Sequence, residues 1–431
     1  MGILSTMLLV WIGKKVLGEE TFWFVVATVF GALVPPRRIF TRAGAPFVLT
    51  VSTLALLAVA FFTGRADLRF ALPLGLVHVV AYVVFSVCSK WQGLPLLRDN
   101  LYHLAMPWWR RKTGFAHERL AGVSLATLRD SREASAAAMF AAATKELHVE
   151  TVVMARGASA GGDLAIEIIS APVEDGSALK PLTTRPLILY IHGGGMVFSS
   201  AKDAGLKFAL LHPRPTISES CVIASLNYRL APEHKFPAAA DDVLDQLLWL
   251  LEAQQAQRFG YDVANVSVMG TSAGGNLAAG LAVRAAKQGI ELKSQILLIP
   301  MLRYGATTAS YRAFGDSVVL GTAKMIWFWE QYVSDAVRDP RDPLCCPGTA
   351  TAEELAGLAK LRGAAPLAPA IVCTASHDPL RDEGRQYAQT LTEAGVAVSS
   401  LELSGSHVGS IAFDVEGRDA LQAAIEKVVG L

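Results

Sequence analysis

The stretch VSVMGTSAGGNLAAGLA, Val266–Ala282, decides the fold. An apolar run of strand type leads into small and aliphatic residues that suit a helix, and between them lies G-x-S-x-G as Gly270, Thr271, Ser272, Ala273 and Gly274. A serine held at a sharp strand-to-helix turn adopts a strained backbone conformation, and glycines on either side leave room for it. The pentapeptide alone is a moderate signal, because a serine entering a helix also serves as an ordinary N-cap.

The sequence on either side strengthens it. Upstream, the apolar run Leu187–Ile191 ends in His192-Gly193-Gly194-Gly195. Consecutive glycines let backbone N–H groups approach a developing oxyanion, and two of them with the N–H of Ala273 would make a three-donor hole. A phosphate loop is the competitor, but no Lys-Ser/Thr follows these glycines. Downstream, an acid and then a histidine are expected, each after a late strand. Asp378 follows AIVCTAS and His407 follows VAVSSLELSG in SGSHVGS. Asp382 and Glu383 rival Asp378, but they open a helix, where carboxylates face the positive end of the dipole. His212, His234 and His377 read as solvated loop residues.

Strand-like runs alternate with helical ones over the last two thirds of the chain. Strands are expected near Val149–Ala155, Leu164–Ile169, Leu187–Ile191, Val222–Leu226, Val266–Met269, Ile296–Ile299, Ala370–Thr374 and Val396–Leu403. Helices are expected over Thr127–Leu147, Ala238–Gln257, Ala273–Gln288, Glu383–Glu393 and Val415–Val429. This alternation predicts an α/β fold with an eight-stranded, mostly parallel sheet covered on both faces. The segment Leu302–Pro343 is too long for a simple crossover and, with the region before Leu147, predicts a helical cap over the site. Trp327, Phe328 and Trp329 within it would line an acyl channel or, for at least two of the three, form the cap core.

The 431 residues carry a formal charge of +1, which gives no global field for nucleic acid. The hydrophobic fraction is 52% and the mean hydropathy +0.37, an excess that lies in the first hundred residues. Ala43–Phe62 and Phe70–Ser89 are each 20 residues without a charge, long enough to cross a bilayer. Phe22–Val34, an apolar stretch only 13 residues long, would be a third span or a re-entrant segment. Gly2–Leu17 reads as a retained interfacial helix or signal anchor, and Trp91–Lys112 as an interfacial stretch. Residues 1–112 are therefore expected to anchor the chain in a membrane by two to three spans, and 113–431 to form the catalytic domain. Arg37, Arg38 and Arg42 before the first clear span, and Lys90, Arg98 and Arg110–Lys112 after the second, place both flanks on the cytosolic side. Cys88, Cys221, Cys345, Cys346 and Cys373 have no zinc-site spacing and read as reduced, structural thiols.

In order along the chain, HGGG at His192, YRLAPEHKFPAAADD at Tyr228–Asp242, GTSAGGN, RDPLCCP around Asp342, DPLRDEG from Asp378 and then His407 resemble the hormone-sensitive lipase-like branch of the α/β hydrolases. That branch includes carboxylesterases and membrane-anchored arylacetamide deacetylases. The resemblance covers roughly Leu147–Leu431. It implies that Gly194 and Gly195 join Ala273 as oxyanion donors, and that Tyr228–Asp242 orders the floor of the site. Thr271 departs from the usual acidic residue before the nucleophile, Met196 from a common aromatic, and Val-Gly follows His407. The expected activity is hydrolysis of apolar carboxylic esters at a membrane, with Ser272 as nucleophile, His407 as base and Asp378 as orienting acid, and with no metal or cofactor required. The alternative is a ligand-binding member of the fold without turnover. Receptors on this fold lack the histidine that this chain has.

Overall fold

In the computed structural model the described residues are Ser124–Leu431 without 158–160, 173–184, 212–215, 306, 316, 318–319 and 334–341. The expected spans and interfacial segment of residues 1–112 lie outside the described residues, as do His212 and Cys88. Among the described residues no helix is long and apolar enough to cross a membrane.

Ser124 opens the first helix among the described residues, α1 (Leu125–Ala143), by accepting the Thr127 N–H on its side chain. There follow β1 (His148–Met154), β2 (Leu164–Ser170), β3 (Arg185–Ile191), β4 (Val222–Leu226), α2 (Ala238–Leu250), α3 (Ala253–Phe259), β5 (Tyr261–Thr271), α4 (Ala273–Lys287) and β6 (Ser294–Leu298). The chain then runs through α5 (Ala309–Phe314), α6 (Thr322–Tyr332), α7 (Ala352–Leu358), β7 (Ala370–His377), α8 (Arg381–Glu393), β8 (Val398–Ser406), α9 (His407–Phe413) and α10 (Val415–Val429). The strands form one eight-stranded sheet in the order β1-β2-β4-β3-β5-β6-β7-β8. β2 runs antiparallel to β1 and β4, and every other neighbouring pair is parallel.

Both faces of the central strands are buried, which is why they read as unbroken apolar runs rather than alternating ones. On β3, Leu187, Leu189 and Ile191 enter the core beneath α2 and α4, whereas Ile188 and Tyr190 enter the opposite core with Leu421, Ile425 and Val429 of α10. Parallel pairing from β3 to β8 also places the C-terminal ends of β3, β5, β7 and β8 along one edge. The glycine loop, Ser272, Asp378 and His407 each follow one of these ends directly.

Several elements differ from the sequence reading. The helix expected over Ala238–Gln257 breaks at Glu252, whose backbone is extended, and the Leu250 carbonyl exposed by the break accepts the Tyr261 hydroxyl. β5 begins five residues early because Tyr261 pairs with Arg185, a contact hidden behind Asp262 and Asn265. β7 continues to His377, which pairs with Ser406. His377 is thus a half-buried strand residue bonded to the Ser376 hydroxyl at 2.8 Å, not a solvated loop residue. His234 is exposed. Cys221, Cys345, Cys346 and Cys373 are buried free thiols, and burial pushes those of Cys221 and Cys373 up to about 12.

Candidate active site

Ser272 stands between β5 and α4 with φ 58° and ψ −116°. The neighbouring glycines are dictated by contact: a Cβ on Gly270 would lie 2.0 Å from the Gly274 carbonyl oxygen, and one on Gly274 would lie 2.0 Å from that of Ile191. Backbone bonds fix the turn. Ser272 N–H donates to Leu298 O at 2.8 Å, and Ser272 O accepts Met301 N–H at 3.1 Å.

Three side chains from three strand ends meet in a line. His407 Nε2 lies 2.9 Å from Ser272 Oγ, and His407 Nδ1 lies 2.7 Å from Asp378 Oδ2. Asp378 is wholly buried, and its Oδ1 accepts the Leu380 N–H at 3.0 Å. A carboxylate only accepts, so Nδ1 carries the proton and Nε2 keeps a lone pair for the serine hydroxyl. Of the rival acids, Asp382 accepts the Ser310 N–H and pairs with Arg381. Glu383 accepts the Leu302 N–H at 2.7 Å.

The glycine loop lies directly over this turn, since a Cβ on Gly193 would sit 3.4 Å from that of Ser272. Gly194 and Gly195 have φ of 107° and 65°, and the Gly194 carbonyl closes the loop by accepting the N–H groups of Val197 and Phe198. Ala273 is the first residue of α4, so its N–H has no acceptor within the helix. The Tyr228 segment supports the loop from below. Tyr228 stacks on His192 with ring centroids 4.2 Å apart and donates its hydroxyl to His192 O, while Ala231 N–H donates to Met196 O. Asp242, fully buried, accepts from Arg156 and Arg229 and holds the far end of that segment.

The aromatic run on α6 divides. Trp329 packs inward against Tyr304 and Tyr332, Trp327 is half-buried against Phe198, and Phe328 covers the loop so closely that a Cβ on Gly195 would sit 2.2 Å from its ring. Arg132 of α1 lies over the Phe198 ring and Lys324 of α6 over the Phe328 ring. Burial lowers both basicities, Arg132 to about 10 and Lys324 well below its usual value.

Sequence reasoning missed Arg129, which donates to Val197 O and Ala231 O and forks onto Glu233. Nothing in its alanine-rich helix marks it. Glu383 does lie in the first turn of α8, as expected, but its burial there was not foreseen. The residue is fully buried, and burial raises its carboxyl well above the ordinary 4.5, with the Asp378 charge adding to the effect. The folded state therefore keeps that proton to higher pH than the unfolded chain, which releases it near the ordinary 4.5. Stability from this group is complete below that pH and is lost as pH rises through the raised folded value. Glu383→Gln stays neutral at every pH, so its melting temperature is expected to lack that decline when both proteins are followed from pH 4 upward. Parallel profiles would refute a buried neutral acid here.

The α/β-hydrolase fold family matches residues 188–409, from β3 through the glycine loop and the turn at Ser272 to just beyond His407. The chain belongs to that family. Its ordered motifs fall in the hormone-sensitive lipase-like branch. The carboxylic ester hydrolase LipN of Mycobacterium tuberculosis is 37% identical over 219 residues, 49% of this chain and 54% of that protein. The gibberellin receptor GID1 of Oryza sativa is 33% identical, over 54% of this chain and 63% of the receptor. The chain thus spans between half and two thirds of the length of these curated relatives. Among solved structures, the esterase of Pyrobaculum calidifontis is 30% identical with a TM-score of 0.58, over 72% of this chain and 93% of that one.

Proposed function

We propose that this chain is a serine carboxylic-ester hydrolase that cleaves apolar esters through an acyl-enzyme. The observation that carries the reading is the hydrogen-bonded line from Ser272 Oγ through His407 to the buried Asp378, at 2.9 and 2.7 Å. Ser272 Oγ attacks the ester carbonyl as His407 Nε2 takes its proton, and Asp378 stabilises the imidazolium. The N–H groups of Gly194, Gly195 and Ala273 receive the negative charge on the carbonyl oxygen. Collapse expels the alcohol, which leaves with the proton from His407. Water, deprotonated by the same imidazole, then releases the acid and restores the serine. Phe328 against Gly195, with Phe198 and Trp327 packed on it, supports an apolar acyl or alcohol group.

The two uncharged 20-residue runs of the first third support an anchor that holds the enzyme at a bilayer, with the catalytic domain on the cytosolic side. In fractionated cells, a fluorophosphonate probe is expected to label the full chain in the membrane pellet, with the adduct on the peptide containing Ser272. A chain beginning at Thr113 is expected to label in the supernatant. Full-length protein in the supernatant refutes the anchor, and absence of an adduct on Ser272 refutes the hydrolase. The likeness to a hormone receptor gives the second reading, ligand binding without turnover. His407 within bonding distance of Ser272 weighs against it.

A further inference from the structure

We propose that Asp203 is a positioning residue for the reaction, acting through the hydroxyls of Tyr190, Thr271 and Ser199 to hold the nucleophile turn and the glycine loop in mutual register. The inference rests on the hydrolase reading above. Tyr190 is wholly buried on β3, and its hydroxyl lies 3.0 Å from Asp203 Oδ2 and 3.2 Å from Thr271 Oγ1. The carboxylate only accepts, so Tyr190 donates to Asp203 and its oxygen is left to accept the Thr271 proton. The chain therefore has one polarity: Thr271 to Tyr190 to Asp203. Burial raises the Tyr190 phenol well above its usual range, with the Asp203 charge adding to this, which keeps the phenol a neutral donor.

The other carboxylate oxygen accepts the Ser199 hydroxyl at 3.0 Å, and Gly205 N–H donates to Oδ2 at 3.1 Å. Ser199 closes the glycine loop at φ 79°, a conformation that a side chain disfavours and that this bond holds. One charge thus grips the residue before the nucleophile, through Tyr190, and the end of the loop above it, through Ser199. At its other end the same loop touches the turn, since a Cβ on Gly193 would lie 2.9 Å from the Thr271 carbonyl oxygen. A shift of Thr271 therefore changes the distance between Ser272 and the loop donors. Charge-assisted bonds are about twice as strong as neutral ones, so this anchor is stiffer than the threonine hydroxyl alone.

Tyr190→Phe removes one oxygen and keeps the ring packing; Asp203→Ala removes the charge. Each is expected to lower kcat for a p-nitrophenyl ester roughly 10- to 100-fold at unchanged KM, and to slow fluorophosphonate labelling of Ser272 by the same factor. The double variant is expected to be no slower than either single one, because the second change acts on a chain already broken. If Asp203→Ala does not fold, Tyr190→Phe with Thr271→Val completes the same cycle. Losses that multiply, or single variants with wild-type kcat in a protein whose Ser272 labels normally, overturn the proposal alone. A wild-type protein inert to both ester and probe overturns the hydrolase reading, and this inference with it.

Discussion

Replacement of Ser272 by alanine is expected to lower kcat for an apolar ester by on the order of 10⁴- to 10⁶-fold, since removal of a nucleophile leaves only binding and oxyanion stabilisation. The fold should survive, because the turn is held by backbone bonds that alanine keeps: Ser272 N–H to Leu298 O and Met301 N–H to Ser272 O. KM should change little, as Oγ contributes to the transition state rather than to ground-state binding. The measurement is steady-state hydrolysis of p-nitrophenyl esters of graded chain length by the purified variant, with a melting curve as control for folding. A folded variant keeping a hundredth of the wild-type kcat would exclude Ser272 as the nucleophile. A variant without turnover that still performs the protein's role in the cell would favour ligand binding as the function.

Asp378→Asn carries the second large effect, a loss in kcat of roughly 10⁴-fold at neutral pH. Size is conserved and the Leu380 N–H can still be accepted, so the site keeps its shape. The amide, however, turns a donor toward His407 Nδ1, which must then accept. That moves the imidazole proton to Nε2, where it faces the Ser272 hydroxyl 2.9 Å away, and the base is lost. Asp382→Asn is the control, because its carboxylate is occupied with Arg381 and the Ser310 N–H. Equal losses in the two variants would remove the acid role from Asp378.

Much of this site was legible in the chain because the hydrolase architecture ties chemistry to strand ends. Ser272, Asp378 and His407 each follow a strand-like run, and such runs in a parallel sheet end on the same edge as their neighbours. The glycine loop was legible because a gap between strand and helix filled by consecutive glycines has few uses. The burial of Glu383 was not, since the same Asp-Glu pair opening an exposed helix is ordinary. Only the packing of α8 beneath the Leu302 segment takes its carboxyl out of water. His377 was misread for a similar reason: strand length depends on a partner, and the pairing with Ser406 lies 29 residues away in sequence.

Sequence alone named Ser272, Asp378 and His407 and their order along the chain, because apolar periodicity and turn chemistry are local and the parallel topology follows from their alternation. It marked Thr271 as a departure, but the bonds that join Thr271 to Tyr190 and Tyr190 to Asp203 are visible only in the tertiary structure. Asp203, Tyr190 and Thr271 lie on separate elements, and a hydrogen bond depends on tenths of an ångström that no local pattern encodes. Tertiary structure also decided which of the α6 aromatics faces the site, since Phe328 and Trp329 are adjacent in sequence and only their packing partners, Gly195 and Tyr304, distinguish them.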